Sequence, residues 1–200
     1  MINLDSTLFN IDISTQEPSP GRLLVAEPFL GESYFNHSVI ILIDYKKGES
    51  SMGLVLNRKT NFTIGQLIEG FDEELDYPIY CGGPMSPNRL FYIHRLGNII
   101  ANSQRIGDDL WIGGDYDALK EYIRCNDLPK NNIRFFIGYS GWDKNQLENE
   151  IREHVWAVTN QLSAHSMLRG AENAYWHKVV RSMGDKYRSW LLHPMNPSSN

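Results

Sequence analysis

Cysteine and long apolar runs are what this 200-residue sequence has least of. The two cysteines, Cys81 and Cys125, lie outside any CxxC motif or Cys/His spacing that would hold zinc. We therefore expect reduced thiols in a cytoplasmic protein and no metal site. No stretch approaches the ~18 consecutive apolar residues of a membrane span, and the first residues carry acids where a signal peptide needs bases. We expect no membrane association.

An excess of positive charge is also missing. Nineteen basic residues stand against twenty-four acidic ones, which gives a formal net charge of −5. A surface of this sign repels the phosphates of nucleic acids unless a local basic patch reverses the field. The charge balance therefore argues against direct binding to nucleic acid.

Familiar catalytic signatures are absent from the sequence as well. The motif GYSGW has Trp142 where the nucleophile elbow G-x-S-x-G needs its last glycine, and no P-loop, GxGxxG or HExxH motif occurs. We therefore assign no catalytic residues and no metal ligands, and we expect no cofactor.

Short apolar and β-branched runs dominate the middle of the chain and predict strands. They are RLLVA, SVIILID, MGLVLN, LFYIHR, DLWIGG and IRFFIGY, and most end in glycine, proline or charged turn residues. Because the intervening helical patterns are irregular and do not alternate strictly with the strands, the sequence favours an α+β fold, with a doubly wound sheet as the alternative. The polar residues 1–20 predict a flexible leader, followed by one domain over residues 21–200.

Four helices are predicted from capping residues and apolar periodicity. Thr63 with Gln66 forms a capping box for the first, and Asp115 or Asp117 caps ALKEYIRC. The third begins at Asp143, with Gln146 as the capping-box partner, and has the strongest helical pattern; its apolar stripe is Leu147, Ile151, Val155, Val158 and Leu162. The last covers AENAYWHKVVRSM, buries Val179, Val180 and Met183, and stops at Gly184.

Three glycine corners raise the possibility of a ligand-binding cleft. CGGP, IGGD and IGYSGW each follow an apolar run, where glycine permits a tight strand end or a close approach of backbone to a ligand. His94 and Arg58 add a titratable base and a cation, and Trp142 precedes a helix start that favours anions. The candidate ligand-binding residues are Asn57, Arg58, Gly82, Gly83, His94, Gly114, Asp115 and Trp142, and we expect Arg58 and His94 to lie near Trp142. Each candidate also has a purely structural interpretation, as a strand corner, a buried histidine, a helix cap or a packed indole.

Two charged segments stand out. The stretch EGFDEELDY, residues 69–77, holds five acids and no base, and such a run either meets a basic partner or forms a solvated loop. Near the C-terminus, Lys178, Arg181, Lys186 and Arg188 oppose only Asp185, in an arrangement that faintly resembles a helix-turn-helix motif. Its second helix would be too short to serve as a recognition helix.

Seven blocks, taken together, resemble the YqgE/AlgH family. They are GRLLVAEPFL, HSVIILIDY, MGLVLNR, YCGGPM, LFYIHR, LWIGGDYDALK and RFFIGYSGWDKNQLENEI, which occur in the family's order over about residues 21–158. The C-terminal stretch is similar to that of Bacteroidetes members, while Asn145 and Ser140 depart from the usual glycine and alanine. The resemblance implies a curled mixed or antiparallel sheet that forms a pseudo-barrel with flanking helices. The family carries the label of a transcriptional regulator, without a ligand or a reaction that can be transferred to this chain.

The sequence thus predicts a non-catalytic binding or regulatory protein with an unknown protein or small-molecule partner. Two alternatives stay open. One is an enzyme of an unrecognised type that gathers His94, Asp115 and Arg58 in a glycine-lined cleft. The other is direct DNA binding through the C-terminal basic segment.

Overall fold

A computed structural model describes residues 16–30, 34–125, 131–169 and 172–192. Nine of the ten strands described lie between residues 23 and 142, and the chain continues mainly as helices after them. The strands are β1 (Leu23–Ala26), β2 (Val39–Asp44), β3 (Ser51–Val55), β4 (Lys59–Thr63), β5 (Pro78–Cys81), β6 (Met85–His94), β7 (Gln104–Gly107), β8 (Leu110–Ile112), β9 (Ile133–Trp142) and β10 (Trp156–Thr159). The helices are α1 (Ile64–Leu67), α2 (Tyr116–Cys125), α3 (Gln146–Arg152), α4 (Ala164–Arg169) and α5 (Glu172–Ser182), followed by a 3₁₀ segment, Asp185–Leu192.

The strands form one curled sheet in the order β10-β1-β2-β3-β9-β6-β8-β7. Neighbours along this path are antiparallel, whereas β5 pairs with β9 in parallel and with β4 in antiparallel orientation. The first and last strands of the chain meet, with Leu23 opposite Thr159. The sheet is therefore mixed and mostly antiparallel, as the α+β prediction requires.

Strand β9 runs through the middle of the sheet and separates two apolar cores. Alternate side chains of a strand point to opposite faces. Phe135 packs with residues of α2, whereas Phe136 belongs to the core that α4 and α5 cover. A third core, around Trp142 and Trp156, lies beneath α3. Helix α2 and helix α5 consequently lie on opposite sides of β9.

The sheet curls until its two ends touch. A methyl group added at Gly21, just before β1, would lie 1.9 Å from the carbonyl oxygen of Ile106 on β7. Gly107 is similarly close to the side chain of Gln161, which follows β10. These glycines allow the backbones at the two ends of the sheet to approach each other, so the predicted pseudo-barrel is confirmed.

Three helix predictions are confirmed and one is wrong. Thr63 and Gln66 form the capping box at the start of α1. Asp115 caps α2 by accepting a hydrogen bond from the Ala118 amide, and α5 stops just before Gly184, which has φ +96°. The third predicted helix ends at Arg152, and the chain turns at His154, with φ +63°, into strand β10. Val155 and Val158 have the helical spacing, but β10 aligns with β1 and Val158 lies opposite Leu24. Long-range pairing thus overrides the local pattern.

The sequence predicts a flexible leader at the start of the chain and a basic segment near its end. Most of the predicted leader lies outside the described residues, and the Gln16 amide contacts the Val158 carbonyl at 3.4 Å. The 3₁₀ segment buries Tyr187 and Trp190, with Trp190 stacked on Trp176 of α5. It is therefore packed onto α5 and is not a separate recognition helix.

Candidate functional site

The corner after β3 is held by Asn57, a buried side chain that acts as a brace. Its amide nitrogen donates to the His37 carbonyl at 2.8 Å, and its oxygen accepts from the Val39 amide at 2.9 Å. His37 has φ +52°, a strained backbone conformation for a residue other than glycine. Asn57 therefore stabilises the turn before β2, which is a structural role.

Arg58, next to this brace, lies beside one of the two cysteines. Its guanidinium donates to the carbonyls of Tyr34 and Asn36 and sits 4.8 Å from the centre of the Tyr34 ring. The Tyr34 hydroxyl lies 2.9 Å from Cys81 Sγ. Burial, followed by this contact with Cys81, raises the pKa of Tyr34. The arrangement fixes a half-buried thiol beside a phenol and a cation.

Gly82 and Gly83 adjoin the same corner and explain the CGGP motif. The Gly82 carbonyl accepts hydrogen bonds from the Val55 amide and the Ser140 hydroxyl. A methyl group at Gly83 would lie 2.1 Å from the backbone carbon of Tyr139. The two glycines therefore let the chain cross close to β9, as strand corners do.

His94 forms a second, separate corner and is fully buried. Its Nδ1 accepts from the Leu96 amide at 3.1 Å, which leaves Nε2 to donate to the Gly113 carbonyl at 2.9 Å. Burial lowers the pKa of His94, although the bond to Gly113 raises it in part. The imidazole is thus a neutral structural group and is not available as a general base.

Gly114 and Asp115 belong to the His94 corner. The Gly114 carbonyl accepts from the Tyr92 hydroxyl at 2.8 Å, and Gly114 has φ +111°. Asp115 is occupied in capping α2, and its own amide donates to the Ala101 carbonyl. Both residues therefore hold the turn that leads into α2.

Trp142 lies apart from the Arg58 corner and the His94 corner, and it is packed in the core beneath α3. Only 5% of its surface is exposed, and its indole nitrogen donates to Glu150 at 2.8 Å. Trp156 donates to the same carboxylate oxygen at 2.7 Å, and the two indole rings are nearly perpendicular. Trp142 is therefore a packed side chain and not the wall of a pocket.

The expected convergence of these residues is wrong. His94 pairs with Ile133 at the first residue of β9, whereas Trp142 is its last residue, about 30 Å away at the rise of an extended strand. The Arg58 carbonyl accepts from the Cys81 amide, and Cys81 pairs with Ile137 in the middle of β9. The three corners are spread along β9, so no cleft gathers His94, Asp115 and Arg58.

A surface groove lies elsewhere, between the acidic segment 70–77 and helix α2. Its volume is about 850 Å³, within the range of about 300 to 1,000 Å³ that is usual for ligand sites. Its apolar lining comprises Phe71, Leu75, Tyr77 and Ile123, and Tyr77 and Ile123 are almost fully buried. Phe71 makes edge-to-face contacts with Tyr116 and Phe135 beneath it. The groove therefore has a firm apolar floor.

The rim of this groove is acidic. Its charged residues within the described part of the chain are Asp72, Glu74, Asp76, Asp117 and Glu121 against Lys120 and Arg124, which gives these seven a formal net charge of −3. The two bases are paired within α2: Lys120 lies 2.8 Å from Asp117, and Arg124 lies 2.5 Å from Glu121. They are thus turned toward acids of their own helix. Groups of three metal-binding side chains do not occur among the described residues, so these carboxylates are spaced apart along the rim.

Only half of this groove could be predicted from the sequence. The acidic run 69–77 is visible there, but nothing in the sequence places it beside the charged face of α2. The available signal was the presence of Phe71, Leu75 and Tyr77 among the acids, because a fully solvated loop has no need of three large apolar side chains. Another groove, of about 390 Å³, lies beside His165 and is lined partly by the Arg95–Asp109 ion pair.

Comparison with known proteins gives a consistent result. Residues 23–188 match a protein-family model described as AlgH-like. A UPF0301 protein of Parabacteroides distasonis is 41% identical over 96% of this chain and 97% of its own. A UPF0301 protein of Bacteroides thetaiotaomicron is 36% identical over the full length of both.

Two solved structures share the fold at lower sequence identity. A Corynebacterium diphtheriae protein matches with a TM-score of 0.74 at 23% identity, covering 92% of this chain and 96% of the other. The solution structure of AlgH from Pseudomonas aeruginosa matches with a TM-score of 0.67 at 22% identity, over 90% and 98% of the two chains. In the described part of this chain, no helix has the length and apolar character needed to cross a membrane.

Proposed function

This chain belongs to the AlgH-like family, and we propose from its own geometry that it is a non-catalytic protein that binds another protein. The groove between residues 70–77 and α2 is the binding site in this proposal. A surface depression with an apolar floor and a charged rim has the anatomy of a protein interface, in which apolar anchors are buried and polar groups surround them.

The state of the other candidate residues supports a binding role over a catalytic one. His94 is neutral and fully hydrogen-bonded, Asp115 is a helix cap, and Arg58 lies at a different corner. A general base must reach a substrate proton, which a buried and satisfied imidazole does not do. The groove, by contrast, is open to solvent, and the described residues that line it include more acidic than basic side chains.

A regulatory role is part of the proposal and would act through the bound protein. A protein that changes the availability of its partner regulates without contacting DNA, which fits a chain of net charge −5. We also expect the protein to work in the cytoplasm, where its two free thiols stay reduced.

Photo-crosslinking in living cells tests the proposal. A benzophenone amino acid is placed at Glu74, an exposed residue of the groove rim, and in a second variant at Glu153, an exposed residue beyond α3. Irradiation should give a discrete protein adduct at Glu74 and none at Glu153. The absence of an adduct at Glu74, or the same adducts from both positions, would overturn the proposal.

A further inference from the structure

The chemistry of the groove specifies more than the presence of a partner. Resting on the proposed function, we infer that the groove holds a basic segment of the partner protein that also carries apolar or aromatic side chains. Two independent features of the site carry this inference: the sign and spacing of its rim charges, and the composition of its floor.

The rim selects for positive charge. Asp72 and Glu74 come from the segment 69–77, which contains no base, and the bases that line the groove among the described residues, Lys120 and Arg124, lie against Asp117 and Glu121. A basic partner would add favourable electrostatics along the whole groove, whereas an acidic partner would be repelled from it. Because the carboxylates are spaced apart, several separate cations satisfy them better than one metal ion does.

The floor selects for apolar side chains between those cations. Leu75 and Phe71 are half-buried, so each presents part of its surface to the groove, and Tyr77 lies deeper with 4% exposure. Burying apolar surface contributes about 25 cal/mol per Å² to association, a term that pure charge attraction lacks. Lysine and arginine stems add to this contact, because their methylene groups pack on apolar surface while the charged ends reach the rim.

A direct experiment uses the purified full chain and a short fluorescent peptide in which lysines alternate with leucine and phenylalanine. Fluorescence anisotropy at about 0.05 M salt should show saturable binding that weakens as salt approaches about 0.3 M. The same peptide with glutamate in place of lysine should not bind. A peptide that keeps the lysines but has serine in place of leucine and phenylalanine should bind at least about tenfold more weakly.

Neighbouring residues of the acidic segment provide a matched pair of variants. Glu74 lines the groove, whereas Glu73 is equally exposed but does not line it. Glu74→Lys should weaken binding of the lysine peptide by about tenfold, because it places a cation at the contact. Glu73→Lys makes the same change in net charge one residue away and should weaken binding by less than about threefold. Thermal unfolding of both variants should stay close to that of the unmodified chain, since both side chains are exposed.

Three results would overturn the inference: equal losses in the two variants, equal binding of the serine peptide, or no binding of the lysine peptide. The first two would mean general attraction to an acidic surface, without docking in the groove. If crosslinks at Glu74 form while the lysine peptide does not bind, only the chemistry assigned to the partner is wrong. If neither is seen, the proposed function fails as well.

Discussion

At the scale of single residues, buried polar groups in this protein are used to hold elements together. Arg134 is 98% buried on β9, yet it donates to the carbonyls of Leu168 and Leu56 and packs 4.1 Å from the Tyr80 ring. Burial lowers the pKa of Arg134 to about 10, so it stays charged at neutral pH. Arg134 therefore links the end of α4 to the sheet. Buried residues of this kind carry titratable groups, but their role is to hold the structure together.

Glu150 provides a test of this structural use. Its carboxylate accepts from the indoles of Trp142 and Trp156 and from the amide of Gln146. Glu150→Ala should lower the free energy of unfolding by at least about 2 kcal/mol, because two buried indole N–H groups lose their partner. Urea denaturation measures this loss. Asn149→Ala, at an exposed position of the same helix, should change stability by less than about 0.5 kcal/mol, and equal effects of the two variants would contradict the role of Glu150.

The buried side chain of His94 leads to a prediction of how the free energy of unfolding depends on pH. Its pKa is lowered by burial in the folded protein, so folding favours the neutral form. The pKa of His37 is also lowered, because this side chain is buried and lies near His177. The stabilising contribution is complete above the unfolded pKa of about 6.5 and is lost as the pH falls below it. The free energy of unfolding should therefore decrease from about pH 7 to about pH 5.

The variant His94→Gln tests this assignment. It should be less stable at pH 7 but should show a smaller decrease on acidification, because one of the titrating groups is gone. A slope in His94→Gln equal to that of the unmodified chain would show that His94 does not carry the effect.

At the scale of elements, the glycine corners set how closely strands approach. The corner between β5 and β6 brings Gly83 against the backbone of Tyr139 and Ser140 on β9. Crowding is the dominant constraint there, since its φ of +156° lies at the border of the extended region. The sequence offered a tight strand end as one interpretation of CGGP, and the structure gives the physical reason for it.

Replacing Gly83 with alanine should therefore destabilise the protein by about 1 to 3 kcal/mol, because the added methyl group meets backbone atoms that cannot move aside. Gly141→Ala is the control, since a methyl group there would lie 3.2 Å from the edge of the flexible Tyr139 ring. Thermal and urea unfolding of the two variants provide the comparison. Equal stability of Gly83→Ala and the unmodified protein would refute the crowded corner.

Elements with a strong local signal could be predicted from the sequence, and elements that depend on distant partners could not. The six apolar runs predicted β1, β2, β3, β6, β8 and β9 but not the short strands β4, β5 and β7, and Asp115 and Gly184 predicted the ends of two helices. Strand β10 was missed because Val155 and Val158 fit a helical stripe, and only pairing with β1 decides otherwise. The groove was missed for the same reason, since segment 70–77 and α2 are far apart in the sequence.

At the scale of the whole molecule, charge is divided between two sides of β9. The acidic groove lies on the side of α2, whereas Lys178, Arg181, Lys186 and Arg188 are exposed on α5 and the 3₁₀ segment on the other side. On the basic side, Tyr187 and Trp190 are buried beneath the charged residues, and their rings pack the 3₁₀ segment against α5. The basic residues therefore lie on a packed surface and not on a helix free to enter a DNA groove.

Direct, specific DNA binding should accordingly be absent. Fluorescence anisotropy with labelled duplex DNA at about 0.15 M salt should show no saturable binding, because the net charge of −5 opposes the phosphates. Lys186→Glu together with Arg188→Glu should leave the weak signal at low salt without any sequence preference. A footprint that survives at physiological salt and disappears in this double variant would contradict the prediction.

The pairing of β1 with β10 has a consequence for synthesis of the chain on the ribosome. Leu23–Ala26 is wholly apolar and fully buried in the finished sheet, yet one of its edges has no partner until Trp156–Thr159 has been translated. Throughout most of translation an apolar strand edge is thus open to other chains, the condition under which nascent proteins aggregate or recruit chaperones. A ribosome that stalls before residue 156 would leave a chain that lacks this closing strand.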